Sequence, residues 1–250
     1  MKYYAMESTF SLVLFRTLDF LRYQALILYR QLFSIIWLSN VAVLLAVLCI
    51  PSVSLSWLAN IALVNLAIAV VIRQDFVINI LFAICCSVPR SWPLAIRHRM
   101  ARIYHLGGVH SGCATAAVGW FIGSFVYDLH RCISSRRQFG PSAATLALSC
   151  TSLLLLVAMV LFAYPALRKR YHDVFEFTHR FSGWTALMLV WIKTILSLRD
   201  SHPQVPLCEA MSKSPSFWLL ITITLSIATS WVFLKRVPVN AEILSEHAIQ

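Results

Sequence analysis

Six apolar runs divide the chain, at about 31–50, 55–73, 103–127, 143–164, 180–198 and 216–234. Each is close to the roughly 20 residues a helix needs to cross a hydrocarbon core of about 30 Å. Short, more polar stretches join them. The pattern predicts an all-α, polytopic membrane bundle of about six transmembrane helices, over residues 31–235. Two other stretches read differently. Residues 9–30 interleave Phe10, Leu14, Leu18 and Leu21 with Arg16, Asp19 and Arg22. That is the alternation of an amphipathic helix lying on the cytosolic membrane face, so residues 1–30 are expected to form a cytosolic N-terminal segment. The run from Phe10 to Phe15 is short and no small-residue cleavage site comes after it, which excludes a secretory signal. Residues 76–88 (FVINILFAICCSV) are apolar but too short to span, and Pro89 ends them. They read as an interfacial or re-entrant helix. Residues 236–250 form a cytosolic tail.

Composition supports the membrane reading. Apolar residues make up 59% and charged residues 12%, against roughly 45–50% and about 25% in soluble domains. Mean hydropathy is +0.74. The net charge of +11 would raise nucleic acid as a partner in a soluble protein. Its distribution gives a plainer cause. With the N-terminus in the cytosol, the loops and ends on that side carry 15 of the 21 Lys and Arg residues, including Arg97, Arg99, Arg102 and Arg168–Lys169–Arg170. The opposite side keeps Arg131, Arg136, Arg137, Arg199 and Lys213, and Lys193 lies inside the fifth span. This is positive-inside asymmetry with both termini cytosolic, in the plasma membrane or an endomembrane. The basic residues then act as topology determinants and anchors for anionic lipid, and no nucleic-acid partner is expected.

The seven cysteines contain no CxxC pair, which excludes a zinc ribbon or a thioredoxin-type site. Cys49, Cys113 and Cys150 fall in spans and read as packing residues. Cys85 and Cys86 lie near the cytosolic surface, where packing and palmitoylation are the two readings. Cys132 and Cys208 both fall on the non-cytosolic, oxidising side, and a disulfide between them is expected.

Histidines carry the candidate chemistry. His105 and His110 open the third span, and His172 and His179 open the fifth. Both spans run outward, so the four rings share one depth, where ionisable groups mark functional sites. At 100° per residue, with Gly108 at zero, Gly112, Gly119, Gly123 and His105 fall within about 60° of one another, and His110 near 200°. Such a glycine face admits a closely packed helix, or leaves room for a flat macrocycle. In the fifth span, His172, Glu176, His179 and Gly183 form one stripe within about 60°. Two histidines and a carboxylate on one face are metal-ligand material. The third span supplies no carboxylate, so a di-iron site is not expected. A histidine from each span could ligate one b-type haem. Helix phase favours His105 with His179; depth favours His110 with His179. No matching ligand pair exists for a second haem near the other leaflet.

The stretches RMARIYHLGGVHSG (99–112), YHDVFEFTHRFSGW (171–184) and KRVPVNAEILSEHAIQ (235–250) resemble fungal Tmp-type integral membrane flavoproteins, distant relatives of ferric-reductase and NADPH-oxidase membrane domains. The resemblance covers about 60–250. It implies a ferric-reductase-like transmembrane bundle, with the tail resembling the start of a truncated flavin-binding barrel. The chain departs from the wider group in placing its histidine pairs at one depth, which argues against a two-haem relay. It also contains no GxGxxG or other Gly-rich phosphate loop. FAD and NADP are therefore expected not to bind this chain, and electrons would come from a separate flavin reductase.

Three functions remain open at this point. The first is an oxidoreductase-like membrane component holding one haem, or a lipophilic small molecule. His105, His110 and His179 are then the metal ligands, His172 a fourth cofactor-binding residue, and Arg180 a partner for a haem propionate or a membrane anchor. The second is a membrane cyclase or isomerase using Asp128, Asp173 or Glu176 as a protonated acid. The third is a non-catalytic accessory protein.

Overall fold

In a bilayer the backbone finds no water to bond, so an apolar run must close its own hydrogen bonds as a helix. The computed structural model describes residues 27–49, 57–134 and 140–232, with backbone alone at 103–104, 243–245 and 248–249. Among them are five helices long and apolar enough to cross a membrane. These are α1 (Leu28–Cys49), α5 (Gly107–Ser134), α6 (Ala143–Phe162), α8 (His172–Ser201) and α10 (Pro215–Val232). A sixth candidate is a bent pair. Helix α2 (Leu58–Val71) and helix α3 (Asp75–Cys86) satisfy the length and hydropathy of a span only together, and they are bent by 68°. The chain is a multi-pass, all-helical membrane protein. Short helices α4 (Leu94–Met100), α7 (Pro165–Arg170) and α9 (Leu207–Lys213) and a 3-10 turn at Ile103–Leu106 complete the helical part. In the tail, strands β1 (Ile243–Ser245) and β2 (Ala248–Ile249) pair antiparallel.

Several boundaries differ from those that hydropathy gives. The run at 55–73 yields a helix of only 14 residues, about 21 Å long. It stops at the polar triplet Arg73–Gln74–Asp75. The interfacial segment expected at 76–88 is α3, and none of its residues is buried. Most of the amphipathic segment expected at 9–30 lies outside the described residues. Its last three residues, Leu28–Arg30, begin α1.

Five helices close a ring in which α5 packs on α2 and α6, α6 on α8, and α10 on both α2 and α8. Its interior is filled by Ala62, Leu63 and Ala67 of α2, Trp120 and Phe121 of α5, Leu156 of α6, Ala186 and Val190 of α8, and Leu220 and Ile223 of α10. Lipid tails are as apolar as these side chains, so close packing and polar contacts must hold the helices together. Both are present. Thr145, Ser149 and Ser152 are buried on α6. The Ser149 and Ser152 hydroxyls donate to carbonyls of their own helix, leaving a small, satisfied face against α8. At the end of α8, Asp200 accepts from Ser142 N at 2.9 Å and from Thr145 Oγ1 at 2.8 Å, tying down the start of α6. The two ends of α2 grip α10, through Asn60 with Ser216 and through Ser230 Oγ donating to Gln74 Oε1 at 2.6 Å.

Helix α1 lies outside the ring, against α5. Its Asn40 exchanges amide hydrogen bonds with Asn65 of α2 at 3.1 and 2.9 Å, and accepts a third from Trp120 Nε1 of α5 at 2.7 Å. Both amides also donate to carbonyls of their own helices. Three helices thus share one satisfied polar node within the apolar layer.

All seven cysteines are free thiols. Cys132 sits half-buried in the last turn of α5 and Cys208 exposed in the first turn of α9. The expected disulfide between them is absent; they are unjoined residues of separate helices.

Candidate functional site

Helix α5 begins on two glycines, and the structure shows what that smooth face receives. A Cβ placed on Gly108 would lie 2.1 Å from the Tyr29 carbonyl oxygen, and one on Gly112 would lie 3.0 Å from Ile36 Cβ. Tyr29 Oη donates to Ser111 Oγ at 2.8 Å and Trp37 Nε1 to Thr115 Oγ1 at 3.0 Å. The glycines at this end admit α1. They do not leave the slot for a macrocycle that is the other expectation for them.

His110 points the other way, as its phase requires. Its Nδ1 lies 2.8 Å from the carbonyl oxygen of Ala69 in α2. A carbonyl can only accept, so Nδ1 carries the proton and Nε2 keeps its lone pair. That carbonyl is available because α2 breaks. In a continuing helix it would accept from Arg73 N, but that amide donates to Val70 O at 3.2 Å. Ala69 is left with one of the orphan carbonyls of a helix end, and His110 satisfies it. Gln74 secures the break: its Nε2 donates to Val70 O at 3.1 Å while its Oε1 takes the Ser230 hydroxyl.

Across from His110 stands His179 of α8, with ring centroids 6.4 Å apart and ring planes inclined by 65°. Phe175, one turn earlier, packs on the His179 ring at 5.5 Å. Arg73 lies at the bend, four residues past the Ala69 whose carbonyl meets His110. Two neighbouring imidazoles are residues that could hold a metal-bearing cofactor. A histidine whose Nδ1–H is held by a carbonyl is also the usual form of a metal ligand, since the outer hydrogen bond fixes the ring and the tautomer.

Helices α5 and α8 are not close-packed neighbours. Side chains bridge them at two levels. The second bridge is an ion pair, with Lys193 Nζ 3.9 Å from Asp128 Oδ2, and the ammonium lies 5.8 Å from the Phe121 ring centroid. Lys193 is buried. The two bridges are roughly 20–27 Å apart along the helices, and their order along both chains makes α5 and α8 parallel.

The other expected residues sit elsewhere. His105 is half-buried in the 3-10 turn that precedes α5. His110, the residue favoured by depth, is a histidine whose ring stands against His179. His172 is exposed on the first turn of α8, 4.0 Å from Glu176. Arg180, Asp173 and Glu176 are exposed as well. Among the described residues, no three His, Cys, Asp or Glu side chains converge. A bare zinc ion, which takes about four ligands, is therefore not provided for. Haem brings its own equatorial nitrogens and asks the protein for one or two axial ligands. The residue types of the pair fit that requirement. Sequence reasoning misses the Ala69 carbonyl, Gln74 and the pairing of Asp128 with Lys193. Lys193, a charge within an apolar run, is the visible sign of the last.

No family model matches the chain, and no solved structure does. Two curated relatives match: adenylate-forming reductase 03009 of Coprinopsis cinerea, 39% identical over 231 residues, and adenylate-forming reductase 06235 of the same fungus, 41% identical over 231 residues. Each alignment covers 92% of this chain and 22% of the relative. The chain thus spans about a fifth of the length of these relatives, and its membrane-spanning region is homologous to part of them. This corrects the expected kinship with Tmp-type flavoproteins and ferric-reductase membrane domains. The motifs behind that expectation are short histidine–glycine patterns at two helix starts and the tail at 235–250. The first owes its glycines to the packing of α1, a demand that many membrane helices meet in the same way.

Proposed function

We propose that this chain is a membrane-embedded redox module in which His110 and His179 would hold one b-type haem. The carrying observation is the pair itself: two imidazoles 6.4 Å apart on helices that do not close-pack, one of them with its Nδ1 proton already committed to Ala69. When bound, haem supplies one-electron transfer. The chain's own residues do the rest. The Ala69 carbonyl holds the His110 ring in place. Phe175 supports His179 and covers one of its faces. Arg73, at the bend just past Ala69, would offer a positive charge to an acidic edge of the cofactor. The basic loops put this end of the bundle at the cytosolic surface. A reductase on that side would supply the electrons. The names of the relatives suggest the setting, a system that forms adenylates and reduces its substrate, which this module would hold at a membrane.

The test is a reduced-minus-oxidised absorption spectrum of the detergent-purified, haem-replete protein. A b-type α band with about one haem per chain is the expected result. His110→Ala and His179→Ala should each abolish it, while His172→Ala leaves it. A well-folded preparation without haem, or a band that survives His179→Ala, overturns the assignment. The closed fit of Gly108 and Gly112 against α1 favours a second reading, a purely structural membrane anchor, and the haem-free outcome would leave that one standing.

A further inference from the structure

We propose that Cys86, with Cys85 beside it, is an S-acylation site that pins α3 to the cytosolic leaflet. The argument is independent of the haem. Helix α2 runs with the bundle, and α3 leaves it at 68°. Over its 12 residues, α3 therefore travels roughly 17 Å sideways and only roughly 7 Å along the α2 axis. It starts at the level of Arg73 and the His110–His179 pair, where α5 and α8 begin, so it lies at the membrane surface on the basic side. None of its residues is buried, and Ile80 and Ile84 are each more than half exposed. An apolar helix in this position rests in the interfacial layer. Its last two residues are the cysteines. Cys86 is exposed, which removes the packing role that the sequence leaves open for it, and Cys85 is half-buried beside it.

The segment after Cys86 keeps the thiols at headgroup level. The chain turns through Pro89, Arg90, an exposed Trp92 and Pro93 into α4, whose last turn carries Arg97, His98 and Arg99. Tryptophan and arginine settle at the interface, so the cysteines stand where acyl chains and the aqueous phase meet. The other thiols lack this setting. Cys113 is buried; Cys150 lies midway along α6; Cys49, Cys132 and Cys208 lie toward the opposite end of the bundle.

The reaction needs no redox partner. The Cys86 thiol attacks the carbonyl of a long-chain acyl thioester. A new thioester forms at Sγ, the donor's carbon–sulfur bond breaks, and the donor leaves as a thiol with the proton that Cys86 gave up. The attached chain lies along the apolar side chains of α3.

The experiment is expression of the full chain in yeast membranes, then hydroxylamine-dependent thiol capture and intact mass measurement. The expected result is a hydroxylamine-labile acyl adduct on the peptide holding Cys85 and Cys86. Cys86→Ser should remove most of it and Cys85→Ser/Cys86→Ser all of it, with elution of the folded protein from a sizing column unchanged. Cys208→Ser should leave it intact. A wild-type chain without a labile adduct, or an adduct that persists in the double variant, overturns the proposal.

Discussion

Gly108 and Gly119 share a helix face by phase, yet their surroundings differ. A methyl group on Gly108 would collide with the Tyr29 backbone, whereas Gly119 has nothing within 4 Å. Gly108→Ala should therefore force α1 and α5 apart and cost roughly 1–3 kcal/mol, the usual range for overpacking. Gly119→Ala should be neutral, or stabilise by up to about 1 kcal/mol through its helix propensity. Denaturant unfolding in detergent, monitored by tryptophan fluorescence, compares the two; equal effects would contradict the α1 contact. The histidines show how far single residues are legible. Depth, read from the spacing of His110 and His179 from their span ends, names the pair that the structure brings together. Phase names His105, which lies in the 3-10 turn at Ile103–Leu106 ahead of α5 and not in the helix itself. The Ala69 carbonyl is invisible in the sequence, since it becomes an acceptor only where another helix breaks.

At the scale of the element, hydropathy locates the five spanning helices found among the described residues and misplaces several ends. It starts the fifth span at 180, but α8 starts at His172. The first turns of α8 carry His172, Asp173, Glu176, His179 and Arg180, residues that continue a helix without being apolar. The break between α2 and α3 is half legible, in the triplet Arg73–Gln74–Asp75. Its fastening is not, because Gln74 and Ser230 are 156 residues apart. Gln74→Leu should loosen both the end of α2 and the end of α10. Faster hydrogen exchange at residues 70–74 and 228–232 than in the wild type would show it; unchanged exchange at either segment would argue against the clamp. The node of Asn40, Asn65 and Trp120 behaves likewise. Asn65→Leu leaves Asn40 short of a partner, at a cost of roughly 0.6–2 kcal/mol for a hydrogen bond between membrane helices. Because the two residues share bonds, adding Asn40→Leu should cost less than it does alone, and a double-mutant cycle measures the difference.

At the scale of the molecule, the ring of five helices is bridged by Asp128 and Lys193 at one level and by His110 and His179 at the other. Asp128→Asn alone strands an ammonium inside the bundle and should destabilise by roughly 3–5 kcal/mol. Asp128→Asn with Lys193→Met removes the stranded charge and should recover most of that loss in the same unfolding assay. Additive effects would mean that the two groups do not act as a pair. Ring closure itself is not legible from apolar runs, which say that helices exist and leave their neighbours open. Its interior faces become recognisable only once Thr145, Ser149 and Ser152 are seen to turn toward α8. Helix α1 stands apart from this closure. It touches α5 through glycines, joins α2 through one amide pair, and buries only Val47 among its 22 residues. Mechanically it is the outermost of the described spanning helices. Under a force applied at the amino-terminal end, α1 should peel away first as a separate low-force step, with the five-helix ring giving way later as one cooperative block.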